Sequence, residues 1–150
     1  MKVIWNISSS LCLFFAIIFC FPQNIHGADA GKQGEVPPLL KPLPLTLVKA
    51  VTCEGLKDLE PDNETIIFSV VLGSVICFTA FDPVPEKTVV HHNWFRRDQP
   101  EKNLKLTLKP PKWSCFSKIH IRNLDVGPWR VEITDSEGKI FKILRFSVTE

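Results

Sequence analysis

Apolar and polar residues alternate along much of the chain, most clearly in its last third. Between Trp129 and Thr134, tryptophan, valine and isoleucine alternate with arginine, glutamate and threonine, and the alternation returns between Leu144 and Val148 after a polar turn that contains Gly138. A period of two places alternate side chains on opposite faces of a β-strand. Two such runs joined by a short polar turn predict a β-hairpin.

Further β-prone runs precede this hairpin, separated by turn-forming clusters rich in proline, glycine, aspartate and asparagine. We expect turns or loops at residues 59–63, 73–74, 82–85, 97–102 and 110–111. The predicted strands are residues 45–53, 65–72, 75–81, 88–96, 104–109 and 112–121. No amphipathic helix of ten or more residues appears after residue 30. The spacing predicts an all-β domain over residues 45–150, an antiparallel, immunoglobulin-like β-sandwich of about seven to eight strands.

The first 44 residues have a different composition. Residues 11–21 are an unbroken apolar run after Lys2, and Ala28 and Ala30 supply the small residues of a cleavage site. This pattern predicts a secretory signal peptide over residues 1–30, with cuts after residue 27 or 28 as alternatives. An uncleaved membrane anchor is the rival interpretation, although the run is shorter than the roughly 20 residues of a membrane span. Residues 31–44 hold four prolines between residues 36 and 44, which predicts an extended linker or a disordered tail.

Charge is unevenly distributed, although the formal net charge is only +2. Residues 96–122 hold eight basic and two acidic side chains, whereas residues 31–95 are net acidic. Outward lysines on strands explain such a strip, since they discourage edge pairing. The functional alternative is a binding surface for an anionic partner, formed with Trp113 as a surface aromatic. Its candidate basic residues are Arg96, Arg97, Lys105, Lys109 and Lys112. The competing interpretation of Trp113 is a core position.

Three cysteines follow the predicted leader, and an exported protein can form disulfides. We expect a Cys53–Cys77 disulfide, which leaves Cys115 over; the alternative is three buried, inert thiols. His92 and His120 are candidate metal ligands if their strands pair, but the spacings typical of dedicated metal sites are absent. A structural, hydrogen-bonded His92 beside Trp94 is the competing interpretation.

Several short motifs occur in a characteristic order. They are Cys77-Phe78-Thr79, His92-Asn93-Trp94, Trp113 followed by Ser117-Lys118, Gly127-Pro128-Trp129-Arg130-Val131, Asp135-x-x-Gly138, and Arg145-Phe146-Ser147-Val148. With these motifs, residues 51–150 resemble the bacterial family called domain of unknown function 2914. The resemblance implies a small β-rich module of exported or membrane-attached bacterial proteins. It implies no catalytic or ligand-binding residues.

The sequence contains no recognised catalytic motif or phosphate-binding loop. We therefore expect a non-enzymatic binding module without a cofactor, periplasmic or secreted, acting in protein interaction or as an accessory subunit of a cell-envelope complex. One alternative is a carbohydrate-binding module for anionic envelope polysaccharide. Another is a small metal-binding protein that uses His92 and His120. Nucleic acid is not an expected partner of an exported protein, and a membrane is one only if the leader is uncleaved.

Overall fold

Two β-sheets face each other in the computed structural model, which describes residues 43–150. The predicted leader and most of the predicted linker lie outside these residues. Within the described part of the chain, no helix is long and apolar enough to span a membrane. The strands are β1 (Leu47–Lys57), β2 (Glu60–Glu64), β3 (Ile67–Ser69), β4 (Ser74–Phe81), β5 (Thr88–Arg96), β6 (Gln99–Leu108), β7 (Trp113–His120), β8 (Gly127–Asp135) and β9 (Ile140–Thr149).

Sheet 1 has the strand order β2-β1-β4-β7, and sheet 2 has the order β3-β9-β8-β5-β6. Neighbouring strands are antiparallel except β3, which runs parallel to β9. The order β1-β4-β7 against β9-β8-β5 is that of strands A-B-E against G-F-C in immunoglobulin-like sandwiches. The predicted all-β sandwich is therefore confirmed, with nine strands in residues 43–150 rather than seven to eight.

Part of the predicted turn at residues 59–63 is a strand instead. Only Asp58 and Leu59 form the tight turn, with left-handed φ angles of 51° and 65°. The backbone of Glu60–Glu64 then pairs with β1. Its polar residues resemble a loop because most of them are exposed to solvent. In the same way, the predicted loop at residues 97–102 shortens to Arg97 and Asp98, and β6 begins directly afterwards.

The β-prone run at residues 65–72 forms only the short strand β3. A 3₁₀ turn, Val70–Leu72, follows it. The Ser69 side chain accepts a hydrogen bond from the Val71 N–H, and Gly73 closes the turn in the left-handed conformation. These local caps supply hydrogen bonds that a longer strand would have taken from a neighbour.

Side chains from both sheets fill the space between them. Phe146 lies at the centre of an aromatic cluster: its ring is 5.5 Å from that of Phe68 and 6.0 Å from those of Trp94 and Trp129. All four residues are at most 4% exposed. Burial of each such ring contributes about 1.5–3 kcal/mol. The apolar rows of β8, β9 and β6 face this core.

The outer face of sheet 1 is covered in its central part. Val75 and Cys77 of β4 point into the core, so Ile76 and Phe78 point outward, yet both are buried. The β1–β2 hairpin bends over this face. Its tip residue Leu59 lines the same surface concavity as Ala80 and Phe81 at the end of β4. The hairpin thereby places Leu59 in the same concavity as Trp113, the first residue of β7.

Candidate functional site

A shallow concavity of about 560 Å³ lies where β4 ends and β7 begins. Its floor and walls are largely apolar and come from three separate elements: Val48 of β1, Leu59 of the β1–β2 turn, and Ala80 and Phe81 of β4. Trp113, the first residue of β7, completes it. We call this surface the Trp113 concavity.

Trp113 lies at the boundary between core and solvent. It pairs across the sheet with Phe81, which is buried, while Trp113 itself is 36% exposed. The ammonium group of Lys109 lies 5.4 Å from the centre of its ring, within the range of a cation–π contact. Lys112 also lines the concavity. The structure thus places the predicted aromatic beside two of the predicted basic residues.

Two further apolar side chains of the concavity are exposed. Leu59 is 78% exposed and Val48 is 59% exposed. Glu60, Asp82 and Lys112 supply charges of both signs among the lining residues. Apolar side chains gathered in a depression with charged neighbours are typical of a contact surface for another molecule. In the sequence, Leu59 shows only as a single apolar residue between Asp58 and Glu60 at a turn, a pattern that does not by itself predict a binding residue.

The remaining predicted basic residues do not join this surface. Lys105 lies in the middle of β6, opposite His91 of β5, and both residues belong to sheet 2 rather than to sheet 1. Arg96 and Arg97 lie at the β5–β6 turn, where β6 begins, whereas Lys109 follows the other end of β6. The six predicted binding residues therefore do not form one continuous site.

Arg96 and Arg97 instead fasten the loop between β7 and β8. The Arg96 guanidinium lies 2.9 Å from the carboxylate of Asp125 and donates to the Leu124 carbonyl at 2.9 Å. Arg97 donates to the Val126 carbonyl at 3.0 Å. These bonds satisfy the buried Asp125 carboxylate and two backbone carbonyls of the loop.

The two candidate metal-ligating histidines are not brought together. His92 of β5 faces the core and is fully buried, whereas His120 of β7 faces solvent. Both ring nitrogens of His92 are already engaged, with Ser117 and Thr79. Among residues 43–150 there is no group of three or more histidine, cysteine, aspartate or glutamate side chains placed to hold a metal ion. The geometry thus shows a buried, hydrogen-bonded His92, the structural role that competed with metal binding.

The predicted Cys53–Cys77 disulfide is absent, and the three cysteines of the described residues are free thiols. The register explains why. Cys53 pairs with Ile76, and Cys77 pairs with Thr52, so the two cysteine side chains project to opposite faces of sheet 1. Burial raises the pKa of all three thiols, Cys115 included, and keeps them in the unreactive protonated form.

In a comparison with known protein families, part of this chain matches one family. Residues 87–148 match the family described as "Protein of unknown function (DUF2914)". The match confirms the resemblance over a shorter range than the predicted residues 51–150. It includes β5 to β9 and therefore Lys109 and Trp113, but not Leu59 and the β1–β2 hairpin.

Part of each of two solved structures is similar in backbone arrangement to part of this chain. One is a beta-glucosidase from Listeria innocua in complex with glucose, with 9% identity and a TM-score of 0.45. The other is a mutant beta-glucosidase from Listeria innocua in complex with laminaribiose, with 11% identity and a TM-score of 0.42. Each alignment covers 71% of this chain and 16% of the other. No curated protein sequence matches this chain.

Proposed function

We propose that this chain is an exported, non-catalytic binding module that docks a partner protein in the Trp113 concavity. The partner segment inserts an apolar side chain between Leu59 and Trp113 and pairs its own charges with those around them. Such a module acts as an accessory or assembly subunit of a cell-envelope complex. Support for export comes from the apolar run at residues 11–21 and its small-residue cleavage pattern.

The observation that carries the proposal is the conformation of Leu59. Its side chain is 78% exposed, and its backbone has a left-handed φ of 65°. Exposure gives an apolar side chain no burial energy, and a left-handed φ costs a non-glycine residue about 1–3 kcal/mol. Leu59 thus stabilises the isolated fold in neither respect. A partner that covers it gives this residue a role.

A protein partner fits the charges of the concavity better than an anionic polysaccharide does. Glu60 and Asp82 line it together with Lys112, so an anionic chain would meet two carboxylates there. The mixed signs suit a protein segment that carries both acidic and basic side chains. Stacking of a sugar on the exposed part of the Trp113 ring is the second candidate, favoured by that exposure alone.

Site-specific photocrosslinking tests the docking site in the cell. A photoreactive residue replaces Leu59 in one variant and Leu124 in the matched control, because Leu124 is also highly exposed but lies on the β7–β8 loop. We expect a discrete protein adduct from position 59 that disappears when Trp113→Ala is added. Adducts of equal yield from both positions would contradict the proposal.

A glycan array with the purified protein separates the two candidates. Protein docking predicts no glycan binding that depends on Trp113. Saturable binding of a glycan that Trp113→Ala abolishes, with no adduct from position 59, would replace the protein partner by a carbohydrate.

A further inference from the structure

Three arginines converge on the outer face of sheet 2. The register of β8 and β9 places Arg130 directly opposite Arg145. Their neighbours Trp129, Val131 and Phe146 face the core, so both arginines face outward. Like charges directly opposite each other on a sheet destabilise it. A negative charge placed between the two guanidinium groups reduces this repulsion.

The third arginine comes from the β5–β6 turn. Arg97 donates to the Val126 carbonyl at 3.0 Å and packs against Gly127, where an added Cβ would lie 3.2 Å from the Arg97 Nε. Gly127 has a φ of 129°. The absence of a side chain at Gly127 is what lets the Arg97 guanidinium lie against this loop.

The three side chains line one small cleft of about 100 Å³, together with Asp98 and Pro128. We call it the arginine cleft. Its volume admits a single functional group rather than a whole molecule. It lies on sheet 2, whereas the Trp113 concavity lies on sheet 1, so the two surfaces are independent.

Arg130 is held rigidly at the base of the cleft. Its guanidinium stacks on the Phe95 ring at 4.0 Å, pairs with Glu132 at 2.8 Å, and forms an ion pair with Asp98. Only 17% of the Arg130 side chain is exposed, compared with 83% for Asp98. Arg130 is therefore a fixed donor, and Asp98 is an exposed carboxylate on a turn.

The other two arginines keep unused donors. Arg145 is exposed, and no carboxylate among residues 43–150 lies within 4.0 Å of its guanidinium. Among the same residues, the Arg97 guanidinium donates only to the Val126 carbonyl. A guanidinium presents five donors in a planar fork that matches an oxyanion. The cleft thus joins one preorganised guanidinium to two with spare donors.

From this geometry we propose that the arginine cleft binds one oxyanion group, a carboxylate or a phosphate, carried by a ligand of this protein. The group lies between Arg130 and Arg145, relieves their repulsion, and accepts from the donors of Arg97. Asp98 acts as an internal competitor, because its carboxylate already occupies one edge of Arg130.

Titration of the isotope-labelled protein with inorganic phosphate, and separately with acetate, tests this at constant ionic strength. The arginine Nε–H signals and the backbone amides of the 97–98 turn report binding. We expect saturable shifts at Arg97, Arg130 and Arg145 with at least one of the two anions. Saturation with phosphate identifies a phosphate group, and saturation with acetate alone identifies a carboxylate. Linear shifts spread over all basic residues would overturn the proposal.

Variants make the test specific. Arg145→Gln should weaken anion binding at least about tenfold, because it removes one charge-assisted partner. The matched control Lys105→Gln removes an equal charge from the same sheet face and should leave the affinity unchanged. Asp98→Asn should tighten binding by removing the competitor. Equal weakening by the Arg145 and Lys105 variants, or weaker binding by Asp98→Asn, would contradict a defined site.

Discussion

The His92 Nδ1 atom lies 2.8 Å from the Ser117 Oγ atom, a hydrogen bond that joins the two sheets through the core. Ser117 also accepts from the Trp94 Nε1–H at 3.1 Å. On the other side of the ring, His92 Nε2 lies 3.2 Å from the Thr79 hydroxyl, which is 3.3 Å from the Cys115 carbonyl. A continuous polar chain therefore crosses an otherwise apolar interior.

The hydrogen-bond partners in this network determine the protonation state of the His92 imidazole. Ser117 accepts from Trp94, so its single hydrogen is free to be donated to His92 Nδ1. His92 Nε2 then carries the hydrogen and donates to Thr79, whose own hydrogen points to Cys115. A positively charged ring would need acceptors at both nitrogens and would leave the Ser117 hydrogen without its partner. The neutral ring satisfies every member, and no buried side-chain nitrogen or oxygen in the described residues lacks a partner.

Replacement of Ser117 by alanine should destabilise the fold by about 3 kcal/mol, because it leaves both the Trp94 N–H and His92 Nδ1 buried without a partner, at about 1–3 kcal/mol for each group. Urea unfolding followed by tryptophan fluorescence measures the change. Ser114→Ala is the matched control, since Ser114 lies on the same strand but is exposed. Equal midpoints for the two variants would show that the polar chain contributes nothing to stability.

Burial lowers the pKa of His92 to about 4, below the value of about 6.5 that it has in the unfolded chain. The unfolded state therefore binds a proton before the folded state does, so stability falls as the pH drops from 6.5 towards 4. The full effect of this group is about 3 kcal/mol. It is absent above pH 6.5, where His92 is neutral in both states.

The ring-proton chemical shift of His92, followed by NMR from pH 7.5 to the lowest pH at which the protein stays folded, measures this pKa directly. Unfolding in urea at pH 7 and pH 4.5 measures the stability change. His120→Gln is the control and should leave the loss of stability unchanged, because His120 is exposed. Titration of His92 near pH 6.5 in the folded protein would refute the prediction.

Gly127→Ala should destabilise the protein by about 2 kcal/mol, because a side chain is strained at its positive φ. The added methyl would also press on Arg97, 3.2 Å away. Gly55→Ala is the control, since a Cβ there meets only Asp62 atoms at 4.0 Å. Thermal unfolding compares the two variants, and a smaller loss for Gly127→Ala than for Gly55→Ala would count against the close approach described here.

Leu59→Gly should stabilise the isolated domain by about 1 kcal/mol, since it relieves a left-handed leucine and creates the Asp-Gly pair favoured in two-residue hairpin turns. It should also reduce the crosslinking of a partner from a photoreactive residue at Lys112, which lines the same concavity. Differential scanning calorimetry measures the first effect. A lower melting temperature would mean that the Leu59 side chain supports the fold itself, which removes the main support for the docking site.

Strands with one buried face were visible in the sequence. Leu104, Leu106 and Leu108 alternate with polar residues, and the structure places this row against the core. Ile119 and Ile121 likewise alternate with polar residues and reach the core. The strand β2 could not be recognised in this way, because its pairing depends on backbone hydrogen bonds and its exposed side chains show no apolar period.

The candidate surfaces depend on pairings that sequence patterns do not encode. Arg130 and Arg145 become neighbours only through the register of β8 and β9, which includes an irregularity between Ile133 and Thr134. Leu59 and Trp113 line one concavity only because the β1–β2 hairpin bends over sheet 1. The disulfide prediction failed for a related reason: proximity along neighbouring strands does not decide which face a side chain occupies, and a one-residue offset separates Cys53 from Cys77.

The position of β9 has a consequence for how this protein is made. It lies between β8 and the parallel strand β3, so Phe68 and Val148, eighty residues apart in the chain, are direct neighbours. The second sheet cannot close until the final strand has left the ribosome, and pairings between such distant segments form slowly. We therefore expect sheet 2, and the part of the core that it covers, to remain incomplete until β9 has been synthesised.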